Sequence, residues 1–360
     1  MFSPPRIGRD AGSGDQSPMT IPPQSLPDAL LWFGFGALAI ALLGAKLTRL
    51  ADRLADETGL GEAVFGAVLL GATTSLPGSV ASLTAALAGH PELAVSNAVG
   101  GIAAQTVFLV VADLVYRRAN LEHAAASVPN LSNGALLCAL LALPLMAALA
   151  PEMALWGVHP ASGVMLAMYL VGLRLATQAR DAPAWQPVRT GETREDVPAR
   201  KGADRGGVGR LWLGFALTAA VVAIAGWMVG EAGIALVRLT GLSETLVGSL
   251  FTAVATSLPE LVTTVAAVRQ GALTLAVSGI IGGNTFDVLF LVLADGAYRE
   301  GSIYHAIGPA PLFLISLAIL LTAILLLGLI QRQRHGWGNI GFESVAVLGF
   351  YLAGLAILTW

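Results

Sequence analysis

Ten apolar segments, each long enough to cross a lipid bilayer, constrain the fold of this chain more than any other feature. A membrane-spanning helix needs about 20 mostly apolar residues, because each residue rises about 1.5 Å through a hydrocarbon layer roughly 30 Å thick. Charged residues make up only 12% of the 360 residues, well below the share in soluble domains. The sequence therefore predicts an all-α membrane protein with ten transmembrane helices. The predicted helices cover residues 31–50, 63–88, 93–116, 134–150, 154–176, 211–230, 244–268, 271–297, 308–331 and 340–360.

Two polar stretches divide the chain. Residues 1–30 have no apolar core, so we expect a disordered N-terminal tail and not a cleavable signal peptide. Residues 178–210 are rich in Arg, Asp, Pro and Gly, and they predict a linker between two five-helix units. These units are residues 31–177 and residues 211–360.

The basic residues predict the orientation in the membrane. Lys and Arg are retained in cytoplasmic loops, and in the ten-helix arrangement 16 of them fall on the side of the linker and 4 on the other side. We therefore expect a bacterial-type inner (plasma) membrane protein with a cytoplasmic central loop and both termini outside. Because each unit has an odd number of helices, the two units should be inverted relative to each other.

An internal repeat links the two units. Residues 59–123 match residues 241–305 at a constant offset of 182, without a gap. Inverted repeats with interrupted helices are the recurrent plan of secondary transporters, whose sites lie near the bilayer midplane. The matching positions are polar or helix-breaking as well as apolar, and they include Thr74/Thr256, Ser75/Ser257, Pro77/Pro259, Gly100/Gly282, Asp113/Asp295 and His123/His305.

A TSLP segment interrupts one predicted helix in each unit, at residues 74–77 and 256–259. Proline has no N–H and clashes with the preceding turn, so we expect carbonyls at residues 71–74 and 253–256 to lose their helical partners. Free carbonyls beside hydroxyls suit a cation. We favour Thr74, Ser75, Thr256 and Ser257 as ligands, with back-bonding of each hydroxyl to a carbonyl one turn earlier as the structural alternative.

Two acidic residues lie in the middle of predicted membrane helices. Glu260 directly follows Pro259, and Asp287 lies in the next helix with Asn284 on the same face. An unpaired carboxylate in a membrane is expected only on a functional path or beside a partner. We therefore predict Glu260 as the main cation ligand, with Asp287 and Asn284 supplying further oxygens. The alternative is an interhelical hydrogen bond that only fixes packing.

Two further acidic residues stand at predicted helix ends. Asp113 and Asp295 each precede an arginine by four residues, at Arg117 and Arg299. This spacing places the two side chains on one helix face. We expect them to form interfacial ion pairs.

These motifs resemble those of the cation/calcium antiporter superfamily, in particular the sodium/calcium exchanger family with its two alpha repeats. TSLPELVTTVAAVRQ followed by SGIIGGNTFDVLFLVLAD is similar to the family pattern TSLPE…GNxxGSNxFN. The resemblance implies an exchanger fold and a shared acidic ligand at Glu260. Asp287 and Asn284 then line the site, and Thr256, Ser257 and the Ala253 carbonyl add oxygens.

The first repeat departs from this pattern. Gly78 stands where the family has a second Glu, and Ile102 and Gln105 occupy its two Asn positions. The first repeat is therefore expected to give mainly neutral oxygens, from Thr74, Ser75 and Gln105. Calcium favours six to eight oxygens including carboxylates, whereas one net negative charge suits sodium or a proton better.

We expect a secondary active cation antiporter of the sodium/calcium exchanger type that carries Ca²⁺, Na⁺ or H⁺. The alternatives are a monovalent cation/proton antiporter and a transport-inactive scaffold or sensor of the same fold. A channel is disfavoured because the sequence has no continuous acidic lining, and an enzyme because no nucleophile, base and orienting group share a segment. The expected partners are the lipid bilayer and inorganic cations. We expect no nucleic acid and no bound cofactor.

Overall fold

The computed structural model describes residues 22–58, 71–116, 119–181, 185, 186, 188, 208–334, 336 and 340–359. Helices make up the regular structure of this part of the chain. They are α1 Leu26–Thr58, α2 Leu76–Leu87, α3 Pro91–Val115, α4 Leu121–Ala125, α5 Val128–Leu149, α6 Pro160–Asp181, α7 Val208–Thr240, α8 Glu244–Thr256, α9 Leu258–Gln270, α10 Leu273–Asp287, α11 Leu289–Ala297, α12 Ile303–Ala306, α13 Pro309–Gln331 and α14 Phe342–Leu358.

Seven spans in the described residues are long and apolar enough to cross a membrane, and they lie in α1, α3, α5, α6, α7, α10 continued by α11, and α13. Helices α8 and α9 make an eighth if the pair, bent by 47°, counts as one broken span. Helix α14 is apolar but has 17 residues. The predicted span at residues 63–88 lies partly outside the described residues, and α2 forms its second part.

The boundaries of the two predicted polar stretches differ from the structure. Helix α1 begins at Leu26, where the Ser25 hydroxyl oxygen accepts a hydrogen bond from the Asp28 N–H at 3.3 Å. This cap extends the helix into the predicted tail at residues 1–30, because a capping serine starts a helix before the apolar run begins. Helices α6 and α7 likewise extend into the predicted linker, to Asp181 and from Val208. Residues 1–21 and most of the linker lie outside the described residues.

Helix α3 is the centre of the bundle, with 78% of its most apolar stretch buried. It crosses α8 closely at two glycines. A Cβ atom on Gly100 would lie 2.4 Å from the Ser249 Cα, and one on Gly248 would lie 2.8 Å from the Ser96 Cβ. Helix α8 contains a π-helical segment, Val247–Thr252, at this crossing. The absence of side chains at these two positions lets α3 reach the interior.

The outer helices expose apolar side chains instead. Leu38 and Leu42 on α1 are exposed, as are Leu213 and Leu217 on α7. A water-soluble protein rarely exposes apolar patches of this kind, whereas lipid solvates them. The exposure pattern therefore agrees with a membrane protein.

Asp113 joins α3 to two other elements by hydrogen bonds. It accepts from the Leu121 N–H at 2.8 Å, from the Gly341 N–H at 3.2 Å and from the Ser344 hydroxyl at 3.0 Å. The expected partner Arg117 lies outside the described residues. Asp113 thus holds the end of α3 against the start of α4 and α14.

Asp295 makes equivalent bonds in the second half, to residues that are each offset by 182. It accepts from the Ile303 N–H at 3.1 Å, from the His159 N–H at 2.7 Å and from the Ser162 hydroxyl at 2.7 Å. Within the described residues it forms no ion pair with Arg299, so that expectation is wrong. Buried at 0% exposure, Asp295 bonds to backbone N–H groups that need an acceptor.

His90, in the turn between α2 and α3, makes an interhelical contact. Its Nδ1 lies 2.6 Å from Glu244 Oε1, and Glu244 Oε2 accepts the Leu93 N–H at 3.0 Å. The hydrogen bond to Glu244 raises the pKa of His90, and the nearby charges of Glu244 and Glu231 add to the effect against partial burial. His90 therefore stabilises the fold more when it is protonated.

We predict that His90→Gln lowers the thermal unfolding midpoint in detergent at pH 5.5 and has little effect at pH 9. A raised folded-state pKa gives stability that is present below about pH 6.5 and lost as the pH rises through the folded pKa. The contribution should be about 1 kcal/mol or less, because the pair is partly exposed. Glu244→Gln should reduce the same pH dependence, and an equal effect of His90→Gln at both pH values would contradict this assignment.

Candidate cation site

Polar side chains from α3, α8, α9 and α10 converge around a small internal cavity of about 10 Å³. This is about the space that one water molecule needs, and a dehydrated cation is of similar size. No Lys, Arg or His side chain of the described residues lines it. The lining residues are Ser75, Gly78, Asn97, Gly101, Gln105, Thr256, Ser257, Glu260, Asp287 and Phe290.

Both TSLP segments contain a helix break beside this cavity. Helix α8 ends at Thr256 and α9 begins at Leu258, with Pro259 in its first turn. In the first half, α2 begins at Leu76 with Pro77 in its first turn. The predicted interruptions are therefore present, because a proline is tolerated only where its missing N–H has no helical partner.

Asp287 accepts hydrogen bonds through both of its carboxylate oxygens. Its Oδ1 accepts a hydrogen bond from the Ser75 hydroxyl, and its Oδ2 accepts one from Gln105 Nε2 at 2.6 Å. The same Gln105 nitrogen also lies 3.2 Å from the Ser257 Oγ. Ser75 and Ser257 are equivalent in the repeat, as are Gln105 and Asp287. These contacts thus bring residues of both repeats together at one point.

Glu260 is the second carboxylate, and its side chain is 5% exposed. The Thr74 hydroxyl donates to the Gly71 carbonyl at 3.1 Å, which is the back-bonding that the sequence left as the structural alternative. Among the described residues, Glu260 Oε2 has no hydrogen-bond partner. An unpartnered buried carboxylate oxygen is costly unless a ligand completes its bonding.

The Ala253 carbonyl differs from the prediction. It accepts hydrogen bonds from the Ser257 N–H at 3.1 Å and from the Thr256 hydroxyl at 3.2 Å, so both lone pairs are engaged. The N–H that Pro259 lacks would have bonded the carbonyl four residues earlier, at Ala255. The carbonyl that Pro259 deprives of a helical partner is therefore that of Ala255, and the prediction for the Ala253 carbonyl is wrong.

Asn284 lies behind the cavity and does not line it. Its Nδ2 donates to the Ile102 carbonyl at 3.3 Å and to the Thr106 hydroxyl at 3.2 Å, while its Oδ1 has no partner in the described part of the chain. Of the predicted ligands, the structure thus brings Ser75, Gln105, Thr256, Ser257, Glu260 and Asp287 around the cavity.

Sequence reasoning missed two residues of the cavity. Asn97 donates from Nδ2 to the Gly78 carbonyl at 3.0 Å and to the Ser82 hydroxyl at 2.9 Å. Its polar character within an apolar run, two helical turns before Gln105, was the available signal. Phe290 lies where the repeat alignment gave no indication of a pocket wall. Its ring Cε2 would lie 2.7 Å from a Cβ atom on Gly78.

Comparison with known families and proteins gives consistent matches. The model of the family described as Sodium/calcium exchanger protein matches residues 29–177 and 210–360. The sodium/calcium exchanger MaX1 of Methanosarcina acetivorans is 31% identical over 142 residues, which is 39% of this chain and 39% of that protein. The inner membrane protein YrbG of Escherichia coli is 26% identical over 329 residues, or 90% of this chain and 95% of that protein.

Solved structures show a similar fold. The H⁺/Ca²⁺ exchanger CAX has a TM-score of 0.64 and 13% identity, with 92% of this chain and 85% of that chain covered. The sodium-calcium exchanger NCX_Mj has a TM-score of 0.53 and 17% identity, with 92% and 99% covered. At these identities the likeness supports the fold alone.

We predict that Gly78→Glu lowers the thermal unfolding midpoint, because the new side chain collides with Phe290 and overpacking of an interior costs about 1–3 kcal/mol. Phe290→Leu in the same chain should recover part of the loss, so the two changes should not be additive. Gly282→Ala is the control, since a Cβ there meets no atom within 4 Å. Strictly additive effects of the two changes would show that Phe290 does not occupy the space beside Gly78.

Proposed function

Since the chain belongs to the sodium/calcium exchanger protein family, we propose that it is a secondary active cation antiporter whose ion site is the cavity between Glu260 and Asp287. The proposal rests mainly on one observation. Two buried carboxylates face a cavity that no cationic side chain of the described residues lines. In a membrane interior such charges need a counter-charge, and a transported cation supplies it.

We further propose ten membrane spans arranged as two inverted repeats. The equivalent hydrogen bonds of Asp113 and Asp295, offset by 182 at every partner, support this arrangement. They also extend the repeat beyond residues 59–123 and 241–305, since Gly341 and Ser344 correspond to His159 and Ser162. Helices α2 and α14 then account for the two spans beyond the eight that length and composition identify.

The proposed site is asymmetric. The second repeat supplies both carboxylates, at Glu260 and Asp287, and the first repeat supplies the neutral groups of Ser75 and Gln105. The equivalent positions in the first repeat are Gly78 and Gln105. Alternating access would then expose this one site to either side of the membrane in turn.

The proposed exchanged ions are Ca²⁺ and Na⁺. Two carboxylates balance one divalent ion or two monovalent ions, and Glu260 Oε2 provides an open position. Calcium takes six to eight oxygens at about 2.3–2.6 Å, so Ca²⁺ binding requires the hydroxyls and the Asn97 and Gln105 amide oxygens to turn inward. The unpartnered oxygens of both amides make this rearrangement possible.

A monovalent cation/proton antiporter is the second candidate, and one contact favours it. Gln105 donates to Asp287 at 2.6 Å, so part of that negative charge is already stabilised by an amide. The amide occupies a direction from which a cation would approach. This arrangement leaves Glu260 as the main acidic ligand, which suits a single positive charge.

We predict that Glu260→Gln reduces ion exchange in proteoliposomes to the level of protein-free liposomes, because it removes the open carboxylate and keeps the shape. The assay measures uptake of calcium-45 and of sodium-22 against imposed sodium and pH gradients. Calcium uptake supports the first candidate, sodium/proton exchange without calcium uptake supports the second, and no exchange by the wild type supports a transport-inactive scaffold.

The control for this assay is Thr263→Val, one turn further along α9. The Thr263 hydroxyl bonds back to the Pro259 carbonyl at 2.9 Å and does not line the cavity. This variant should keep wild-type exchange. Full exchange by Glu260→Gln, at equal amounts of reconstituted protein, would remove Glu260 from the site.

We also propose that the protein lies in the inner membrane with both termini outside and the linker in the cytoplasm, from the distribution of Lys and Arg. A C-terminal fusion to a fluorescent protein that matures only in the cytoplasm should be dark. A C-terminal fusion to a phosphatase that folds only outside the cytoplasm should be active. A bright fluorescent fusion would reverse the proposed orientation.

A further inference from the structure

Two buried carboxyl groups lie in contact far from the cation site. Glu122 on α4 and Glu343 in the first turn of α14 are each 2% exposed. Asp113 brings them together, because it bonds to Leu121, next to Glu122, and to Gly341 and Ser344, on either side of Glu343. Two carboxylates without a proton have only acceptor oxygens. Two neighbouring carboxyl groups can therefore hydrogen-bond to each other only when one of them carries a proton.

Bonding within the described residues leaves this pair incomplete. Glu122 Oε2 and Glu343 Oε2 are both buried, and neither accepts a hydrogen bond from another donor of the described residues. Asp113 adds a third carboxylate nearby, and its own oxygens are already engaged by Leu121, Gly341 and Ser344. The charges acting on Glu122 are thus negative, from Asp113 and Glu343.

The surrounding elements bring apolar side chains and a few basic residues next to α4. From α10, the apolar residues Leu273, Ala276 and Val277 pack against α4. The His123 ring bonds to the Arg332 carbonyl at 2.7 Å. The Arg332 guanidinium, at the end of α13, donates to the carbonyls of Val188 at 2.6 Å and His123 at 3.2 Å. Arg334 also lies beside the start of α4, since its carbonyl accepts the Asn120 N–H at 3.2 Å.

The other half of the molecule shows that the fold does not need these acids. The residues offset by 182 from Glu122 and Glu343 are Tyr304 and Ala161. There the Tyr304 hydroxyl lies 2.7 Å from the Ser162 Oγ, and Ser162 in turn bonds to Asp295. In that half a tyrosine hydroxyl therefore takes the place of Glu122, and Ala161 leaves the position of Glu343 without a polar group. The acidic pair is an addition to the shared architecture.

We propose that Glu122 and Glu343 form a proton-binding site in which the two carboxyl groups share one proton, separate from the cation site. A metal ion is the less suitable ligand, because the described residues hold no group of three or more His, Cys, Asp or Glu arranged for one. Under the proposed topology the site lies at the cytoplasmic ends of the helices, so its ligand is a cytoplasmic proton.

Loss of the shared proton has a defined mechanical consequence. Two negative charges would then face each other next to Asp113, and their repulsion separates α4 from the start of α14. Asp113 fixes the C-terminal end of α3. Gln105 lies on the same helix eight residues earlier, which is about 12 Å along its axis. Burial raises the pKa of Glu122 well above its usual range, with the charges of Asp113 and Glu343 adding to it. The proton therefore stays bound at pH values where a free glutamate has lost it.

The stability of the protein provides one test. A raised folded-state pKa means that the folded protein retains a proton that the unfolded chain releases near pH 4.3, so stability falls as the pH rises from about 4.3 to the folded pKa. Glu122→Gln mimics the protonated group and should remove this part of the fall, which gives a higher unfolding midpoint than wild type at pH 8. Tyr304→Phe, at the equivalent position of the other half, should leave the pH dependence unchanged.

Infrared spectroscopy provides the decisive test. In purified protein at pH 7 we expect the carbonyl stretching band of a buried protonated carboxylic acid. This band should persist in the double variant Glu260→Gln/Asp287→Asn, and it should disappear when Glu122→Gln is added to that variant. If that triple variant does not fold, the band in the double variant should be lost with Glu343→Gln instead. Absence of the band from the double variant at pH 7, or its persistence after Glu122→Gln, would overturn the proposal. Neither readout depends on transport, so failure of the antiporter assignment is distinguishable.

Discussion

The rest of the structure depends on two carboxylates in a low-dielectric interior, beside which the described part of the chain places no cationic side chain. Asp287 is stabilised by two donors, from Ser75 and Gln105. Glu260 retains one oxygen that no group of the described residues bonds. A buried negative charge that the protein only partly compensates creates affinity for a positive ion, and this links the fold of the chain to cation exchange.

The scaffold serves to bring polar groups from distant parts of the sequence to these carboxylates. The prolines at 77 and 259 break two helices, so that Ser75 and Ser257 face the cavity. Gly100 and Gly248 remove the side chains that would keep α3 away from α8. Close approach of α3 is what carries Gln105 to Asp287. Helix breaks and missing side chains therefore build the site, while the outer helices expose apolar side chains to lipid.

Much of the fold and the centre of the site follow from local sequence signals. Hydropathy identified apolar helices, and proline position identified their interruptions. The offset of 182 placed Gln105 and Asp287 at equivalent positions, but it did not predict the hydrogen bond between them. Contacts that depend on packing between distant segments were not available from the sequence. Phe290 beside Gly78, the backbone partners of Asp295 and the meeting of Glu122 with Glu343 each join elements far apart in the chain. The Ala253 carbonyl was misassigned because two donors in its own turn engage it.

The central claim is that a cation completes the bonding of Glu260 and Asp287. The most direct measurement is anomalous diffraction from crystals soaked in Ca²⁺ or, for a monovalent ion, in Tl⁺. The account predicts a peak between the two carboxylates, with Ca²⁺ about 2.3–2.6 Å from the nearest oxygens of each, and loss of that peak in Glu260→Gln. Peaks only elsewhere in the molecule, with Glu260 bonded solely to protein groups, would contradict it.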